Sequence, residues 1–488
     1  MITTIIEKEL RGILLSPKFT ATFAVCSALI LLSVYAGVKE YNAFSRQYEA
    51  AIRLTDQEMR EETSIGSLRN RQYRPPDPMQ IFVAGVHNDV GRLTRVHELQ
   101  PVKLTNSVYA DEPIYAVFRF VDFAFIVQVI LSLFAILFTY DAIAGERENG
   151  TLQLTFANGI PRVKYLLGKI AGLWIGLAIS IIIPILLGIF LVVLFNVPLT
   201  ATHWARVVLL IGVSLLYFTF FVVFGVMVSA IIKRTNVAFL VALVAWVAFI
   251  LIIPRAGVMA AAQVVHVPSI AEIEGQRDAF ARDSWARHWD EMEGRWKVRN
   301  QPTENMNEND RGAYRDEHMW EWMEEDEKAR KQAQRNIDEF GETLNEDLRN
   351  RKLAQERLAY TMSRLSPASA FQLVAMKLAG TDVDMKTRFE DALRRYRGSY
   401  LEFVEKKQKE SGGGGGIRIT MDSDRGFSFQ APREAGTIDL SELPRLHYST
   451  PTLAESVSGS VADLGVVAFF VILSVGFAFA GFLRSDLR

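Results

Sequence analysis

The sequence contains very little cysteine. Cys26 is the single cysteine among 488 residues, so no disulfide can form within the chain. Disulfides commonly stabilise small secreted domains. Any part of this chain that lies outside a membrane must therefore be held together by packing, which is feasible at this size.

Charged residues are missing from six long stretches. Each has 18 or more residues without Asp, Glu, Lys or Arg: Phe19–Val38, Phe123–Tyr140, Ile170–Val197, Val207–Ile232, Thr235–Pro254 and Leu464–Leu483. About 20 apolar residues of helix cross a bilayer core of about 30 Å. This clustering predicts an all-α polytopic membrane protein. We assign its six transmembrane helices to residues 19–38, 123–142, 166–197, 207–232, 235–254 and 464–484.

The first apolar stretch has a second interpretation as a cleaved signal peptide. Val34–Tyr35–Ala36 would then supply the small-x-small cleavage site. However, the apolar run of about 20 residues is longer than the usual 7–15 of a signal peptide. A retained membrane anchor is therefore favoured.

Sequence motifs of hydrolases, metalloenzymes and nucleotide-binding proteins are absent. The seven histidines form no HExxH or other metal-binding spacing, and GxSxG does not occur. Gly168–Lys169 resembles the end of a Walker A motif, but Val163 replaces the required glycine and Ile170 follows the lysine. We therefore expect no catalytic site, metal or cofactor in this chain.

The predicted spans also lack a buried ion relay. Ion-driven transporters usually carry carboxylates or histidines at the middle of the membrane. Here the uncharged stretches contain no carboxylate or histidine, and their polar residues include Gln128, serines and threonines. If the protein transports a substrate, we expect the energy to come from outside this chain.

Positive charge predicts the orientation. With the amino terminus in the cytoplasm, the short inside segments carry eleven Lys and Arg residues, whereas the short outside loop Pro198–Arg206 carries only Arg206. This bias places both termini in the cytoplasm. Residues 39–122 and 255–463 are then extracytoplasmic segments, and long segments of this kind do not determine orientation.

Residues 1–18 have the pattern of an amphipathic helix at the inner membrane interface. Their apolar residues recur at helical spacing, from Ile2 through Ile5 and Ile6 to Leu10 and beyond. A cytoplasmic extension of the first span is the alternative interpretation.

The second extracytoplasmic segment is predicted to be mostly helical. Two long helices, Ala271–Asn300 and Gly312–Leu365, are rich in helix-forming residues and are interrupted by Gln301–Pro302. They are expected to form an antiparallel hairpin. A glycine linker at residues 411–416 and a small β-hairpin at residues 417–430 follow.

Three tryptophans in the first of these helices share one face. Trp285, Trp289 and Trp296 are spaced four and seven residues apart. They are expected to form the seam of the hairpin. The alternative is a surface for an extracytoplasmic partner, since tryptophan is enriched in interface hot spots.

The link between the second and third spans has an unusual composition for a short connection. It runs from Gly145 to Lys169 and combines Glu146 and Glu148 with Leu152, Leu154 and Phe156. Such a mixed, compact surface suits a cytoplasmic partner.

This link resembles that of ABC-2 type transporter permeases, whose pattern is approximately E-x-E-x-G-T-L followed by an arginine and a closing Gly-Lys. The matching positions are Glu146, Glu148, Gly150, Thr151, Leu152, Arg162, Gly168 and Lys169. The proline departs from the pattern by two positions, at Pro161. Glu7–Leu10 and Ser16–Pro17 also resemble the amino-terminal helix of that family. Arg364–Asp382 resembles the branch of the family that has large segments between spans one and two and between spans five and six.

The resemblance implies the permease subunit of an ABC exporter in the bacterial inner membrane. Residues 143–165 would be a coupling helix, with a separate ATP-binding subunit docking on residues 145–163. The implied coupling residues are Glu146, Arg147, Glu148, Gly150, Thr151, Leu152, Arg162 and Lys169. ATP and magnesium would bind to that partner. Two permeases, identical or related, would pair in the bilayer.

Other functions remain open at the level of the sequence. The chain could relay ATPase motion to an envelope protein without forming a conduit, or could be a receptor or scaffold without energy coupling. Span walls without charge are compatible with lipids, peptides, drugs or polysaccharide as substrates. No nucleic acid is expected among the partners.

Overall fold

A computed structural model describes residues 2–61, 70–88, 91, 93–95, 121–304, 306–410, 418–422, 426–430 and 440–484. Helices dominate this part of the chain, as the sequence predicts. The helices are α1 (Ile2–Leu14), α2 (Pro17–Glu61), α3 (Phe123–Phe125), α4 (Ser132–Thr139), α5 (Ala144–Glu148), α6 (Thr151–Ala157), α7 (Arg162–Leu194), α8 (Ala201–Ile231), α9 (Thr235–Val247), α10 (Ile253–Val264), α11 (Ile270–Asn300), α12 (Glu308–Ser363), α13 (Pro367–Ala379), α14 (Asp384–Glu410) and α15 (Leu453–Arg484).

Strands are few and short. β1 (Arg71–Tyr73) pairs antiparallel with β2 (Leu93–Arg95). β3 (Arg418–Asp422) pairs antiparallel with β4 (Gly426–Gln430), the hairpin expected after the glycine linker. The linker itself, residues 411–416, lies outside the described residues.

Six helical segments of the described chain are long and apolar enough to span a bilayer, and each overlaps one of the predicted apolar stretches over most of its length. They are Pro17–Glu61, Phe123–Glu148, Arg162–Leu194, Ala201–Ile231, Thr235–Val264 and Leu453–Arg484. The prediction of six membrane-spanning helices in an all-α membrane protein is thereby confirmed.

The chain divides into two compact units. Unit 1 comprises Met1–Ile252 and Ser366–Arg488, and unit 2 comprises Ile253–Leu365. Each is described separately below.

The core of unit 1 is built around α8. Its aromatic side chains Tyr217, Phe220 and Phe221 are almost completely buried. The Tyr217 ring stacks on Phe371 of α13, with ring centroids 4.5 Å apart, and Phe220 packs edge-on against Phe470 of α15. Aromatic pairs in such geometries add to the stabilisation that packing provides.

The short helix α13 belongs to this core. Most of its residues are buried, and it contacts α8 and α15. With 13 residues it is too short to cross a bilayer. Helix α13 was not predicted as a separate element of residues 255–463, because a short apolar helix has no distinctive pattern of its own.

A glycine stripe lets α1 lie directly against α7. A Cβ atom added at Gly172 would stand 2.7 Å from the Cβ of Glu9, and one at Gly176 would stand 2.9 Å from the Cδ1 of Ile13. Gly168 meets Ile5 in the same way. Glycine is therefore needed at these positions because the two helices approach so closely.

Two spans contain π-helical stretches, Ile126–Leu131 and Ala248–Ile252. A π-helical turn leaves α-type hydrogen bonds unmade. In the first stretch the carbonyl of Gln128 accepts hydrogen bonds from the Tyr217 and Ser132 hydroxyls, at 2.9 and 2.6 Å. In the second, the Phe249 carbonyl accepts one from Ser366. Hydroxyl groups thus satisfy carbonyls that would be costly to leave unpaired in a membrane.

Unit 2 contains the predicted antiparallel hairpin, formed by α11 and α12. Arg299 binds Asp326 near one end, and Phe280 stacks on Phe340 farther along. The second helix begins at Glu308, before the predicted Gly312, because the Asn307 side chain accepts a hydrogen bond from the Asp310 amide and caps the helix.

Candidate functional site

The link that carries the ABC-2 pattern consists of two short helices, α5 and α6, rather than one. Gly150, between them, has a φ of 72°, and Gly159, after α6, has a φ of 69°. Glycine adopts this left-handed conformation without the steric cost of a side chain. The expected continuous coupling helix over residues 143–165 is therefore interrupted at both glycines, and α7 begins at Arg162.

Glu146 is the centre of an ion-pair network that we call the motif cluster: Lys8, Glu9, Glu146, Tyr165 and Lys169. The Glu146 carboxylate accepts hydrogen bonds from Lys169 at 2.7 Å, from Lys8 at 2.8 Å and from the Tyr165 hydroxyl. Lys169 also binds Glu9 at 2.9 Å. These contacts join α1, α5 and α7.

Burial differs sharply between the two lysines of the motif cluster. The Lys169 side chain is 4% exposed, whereas the Lys8 side chain is 63% exposed. Burying a charge is costly unless it is paired. Lys169 is therefore the structural cation of the cluster, and Lys8 contributes from the surface.

Two further charged residues of the link, Arg147 and Glu148, attach it to the end of α8 and the start of α9. Glu148 accepts hydrogen bonds from the amide and the hydroxyl of Thr235, at 3.0 and 2.6 Å. Arg147 donates to the Ala230 carbonyl at 3.3 Å. The Ser229 hydroxyl accepts from the amides at the start of α5, at 2.9 Å.

Helix α6 has one buried and one exposed face. Leu152 is 1% exposed, and Phe156 packs on Tyr165 and on Phe482 of α15. Leu154 points the other way and is 67% exposed. The exposed surface also includes Thr151, Gln153, Ala157 and Asn158. We call these five residues the α6 face.

Several of the predicted coupling residues contact other parts of the chain. Glu146, Glu148 and Lys169 bind within the chain, and the Arg162 guanidinium donates to the Leu483 carbonyl at 2.8 Å. The Thr151 hydroxyl donates to the Glu146 carbonyl at 3.1 Å and helps to close the turn at Gly150.

Tyr165, Lys8 and Glu9 belong to the site although the sequence pattern did not predict them. Tyr165 and Lys169 lie one helical turn apart, and this spacing was a usable signal that their side chains share a face. The partnership with α1 was not predictable, since Lys8 and Glu146 are 138 residues apart.

The three tryptophans belong to unit 2 and do not form a single seam. Trp296 packs edge-on against Trp322 of α12, with ring centroids 5.9 Å apart. Trp289 is 57% exposed, and Trp285 is half-buried against His288. Trp320 of α12 is 79% exposed. The hairpin seam uses Trp296, whereas Trp289 remains on the surface.

Within the described residues, no group of three or more His, Cys, Asp or Glu side chains is arranged to hold a metal ion. Six apolar spans and a tightly anchored link between the second and third spans define a multi-pass membrane protein.

The chain belongs to the ABC-2 transporter family. A family model described as ABC-2 family transporter protein matches residues 3–487, nearly the whole chain. The resemblance drawn from residues 145–169 is thereby confirmed, and the protein is an ABC transporter permease of the membrane. No curated protein matches the sequence.

Proposed function

We propose that this chain is the permease subunit of an ABC-2 exporter in the bacterial inner membrane, driven by a separate ATP-binding subunit that docks on the link between the second and third spans. ATP and magnesium bind to that subunit, and this chain contributes no catalytic group. A second permease, identical or related, completes the membrane part.

The observation that carries the proposal is the α6 face. Its exposed Leu154 stands on a helix whose other side is fixed by Leu152, Phe156 and the neighbouring motif cluster. An exposed leucine surrounded by small and polar residues suits insertion into an apolar groove of a partner. Because the link is anchored to α7 and α8, a push on the α6 face would be transmitted to both spans.

Charge supports the orientation. Lys and Arg are in excess in the short connections that include the amino terminus, the link and the carboxyl-terminal end of α15. Such an excess is typical of the cytoplasmic side of a membrane. The link then faces the cytoplasm, where ATP is available to the partner subunit.

The test is co-purification of an ATP-binding subunit from the cells that produce this chain, with Leu154→Glu compared with wild type. The substitution is expected to abolish co-purification and ATP-dependent export, because a charge cannot enter an apolar groove without a partner. Leu54→Glu, at a 53% exposed site on α2, is the matched control and should retain the ATPase. Retention of the ATPase by Leu154→Glu at wild-type levels would sink the proposed docking face.

A second candidate is a mechanical relay that transmits ATPase motion to an envelope protein without a conduit. It is favoured by the length of α12, 56 residues or about 84 Å. Exposed Trp289 and Trp320 offer a partner surface on unit 2. In a relay, Trp289→Gln with Trp320→Gln would remove the output and leave ATPase binding intact, whereas a conduit would continue to export.

A further inference from the structure

A second polar site lies in unit 1, in a cavity of about 540 Å³ between α14 and the first turns of α15. We call it the α14 pocket. One wall is a face of α14 on which charge alternates in sign: Asp384, Arg388, Asp391 and Arg395. Their spacing of four, three and four residues places them in a row about 16 Å long.

The opposite wall is small and hydroxylated. Glu455, Ser456 and Gly459 of α15 line it on one helical face, together with Thr452 directly before the helix. Lys377, at the end of α13, also lines the pocket and donates hydrogen bonds to the Gly459 carbonyl and to Asp463, at 2.8 and 2.9 Å.

Polar groups of the pocket are left unpaired within the described part of the chain. Ser456 is 4% exposed, and its buried hydroxyl has no hydrogen-bond partner there. The Nε of Arg388 is likewise buried without a partner, although its Nη2 binds Asp382 at 2.6 Å. Unpaired buried donors are uncommon in proteins and call for a bound molecule or water.

The charges of the lining indicate the chemistry of a ligand. Three cations and four carboxylates line the pocket, so a simple anion or cation would meet repulsion as well as attraction. A molecule that carries a primary ammonium close to an anionic group would meet both signs. Guanidinium groups bind phosphate or carboxylate well, and carboxylates accept hydrogen bonds from an ammonium.

The position of the pocket points to the membrane surface. Asp463, bound by Lys377, is the last charged residue before the apolar stretch Leu464–Leu483 of α15. A charged residue directly before an apolar span marks the edge of the hydrocarbon core, and the polar headgroup layer begins there. The end of the pocket nearest to Asp463 therefore lies at the level of the lipid headgroups.

We propose that the α14 pocket binds a zwitterion with a primary ammonium and a nearby phosphate or carboxylate, either the headgroup of an aminophospholipid or a free soluble zwitterion. The anionic group is held by Arg388 and Arg395, and the ammonium by Asp384 and Glu455. Binding here does not require the ATP-binding subunit, so the inference stands apart from the proposed function.

The experiment uses the purified full chain in detergent, without the ATPase. It is incubated with equal amounts of phosphatidylethanolamine, phosphatidylcholine and phosphatidylglycerol, and the retained lipids are counted by native mass spectrometry. A second arm measures binding of soluble phosphoethanolamine and of glycine by calorimetry. Both comparison lipids keep the phosphate and test recognition of the ammonium. Phosphatidylcholine keeps the positive charge without an N–H donor, and phosphatidylglycerol has no ammonium.

The variant Asp384→Asn with Arg395→Gln removes one charge of each sign from exposed positions of the pocket. The variant Lys386→Gln with Glu390→Gln makes the same change on α14 at residues that do not line the pocket. The pocket variant should bind about tenfold more weakly than wild type, as expected for lost charged hydrogen bonds. The control variant should bind like wild type.

Two outcomes support the proposal and identify the source. Selective retention of phosphatidylethanolamine assigns the ligand to the lipid, whereas binding of soluble phosphoethanolamine or glycine without lipid selectivity assigns it to a free zwitterion. The proposal is overturned if the three lipids are retained equally and neither soluble zwitterion binds, or if the pocket and control variants behave alike.

Discussion

The motif cluster and the α14 pocket contain similar charged side chains, but those side chains are paired with one another to different extents. In the motif cluster the charges bind one another, and Lys169 is held between Glu9 and Glu146. In the α14 pocket charges of both signs line an open cavity, and Arg388 and Ser456 retain unpaired polar atoms within the described chain. Charge that is satisfied inside the chain supports structure, whereas charge that faces a cavity is available for recognition.

The largest effect is expected from removing the buried cation of the motif cluster. Lys169→Met removes the buried positive charge that binds the Glu9 and Glu146 carboxylates. Breaking a buried ion pair in this way costs about 3 kcal/mol or more of folding free energy. Lys8→Met removes a cation from the same Glu146 carboxylate, but at an exposed site, where an ion pair contributes less than about 1 kcal/mol. The thermal unfolding midpoint in detergent should fall far more for Lys169→Met.

Equal losses in the two variants would contradict this view of the motif cluster. They would mean that the exposed and buried lysines contribute alike, and that the network is a loose surface arrangement rather than the anchor of the link.

A smaller effect is expected where α1 lies against α7. Gly172→Ala places a Cβ 2.7 Å from the Cβ of Glu9 and 3.2 Å from the backbone of Ile6, and such overpacking costs about 1–3 kcal/mol. Gly212→Ala, in α8, is the control because, within the described chain, no atom beyond its own stretch of helix lies within 4 Å of the added Cβ. The thermal midpoint should fall for Gly172→Ala alone, and ATPase co-purification should weaken with it as Glu9 is displaced from Lys169.

No change in the Gly172→Ala protein would show that α1 can move away from α7 at little cost. The glycine stripe would then not be the reason for the close approach, and α1 would be free to act independently of the link.

The smallest effect on stability is expected at the α14 pocket. Asp384→Asn and Arg395→Gln should each change the free energy of unfolding by less than about 0.5 kcal/mol, because both side chains belong to exposed residues. The two substitutions should instead weaken the binding of a ligand in the α14 pocket. A large loss of stability in either variant would show that these charges stabilise the fold, as those of the motif cluster do. The two sites would then not differ in the way proposed here.

The spans were predictable from the sequence because their cause is local. An uncharged stretch such as Val207–Ile232 has to be placed in an apolar environment whatever its neighbours are. The hairpin of α11 and α12 was predictable for a similar reason, since its composition favours helix over its whole length. Its start at Glu308 was not, because the Asn307 cap was overlooked.

The site was predictable as a segment but not as a set of contacts. The pattern around Glu146 and Gly150 identified the link, yet it did not reveal that Glu146 is occupied by Lys169 and Lys8. Those contacts depend on how α1 packs on α7. The exposure of Leu154 follows from the burial of Leu152, and one sequence does not show which face of a seven-residue helix is buried.

The π-helical stretches Ile126–Leu131 and Ala248–Ile252 have a consequence for the evolution of this sequence. A π-helical turn holds one residue more than an α-helical turn between hydrogen-bonded partners. Relatives that lack the hydroxyl donors equivalent to Tyr217 and Ser366 should therefore have lost that extra residue. An alignment of the family would then show single-residue gaps at these two places, coupled to the identity of positions 217 and 366.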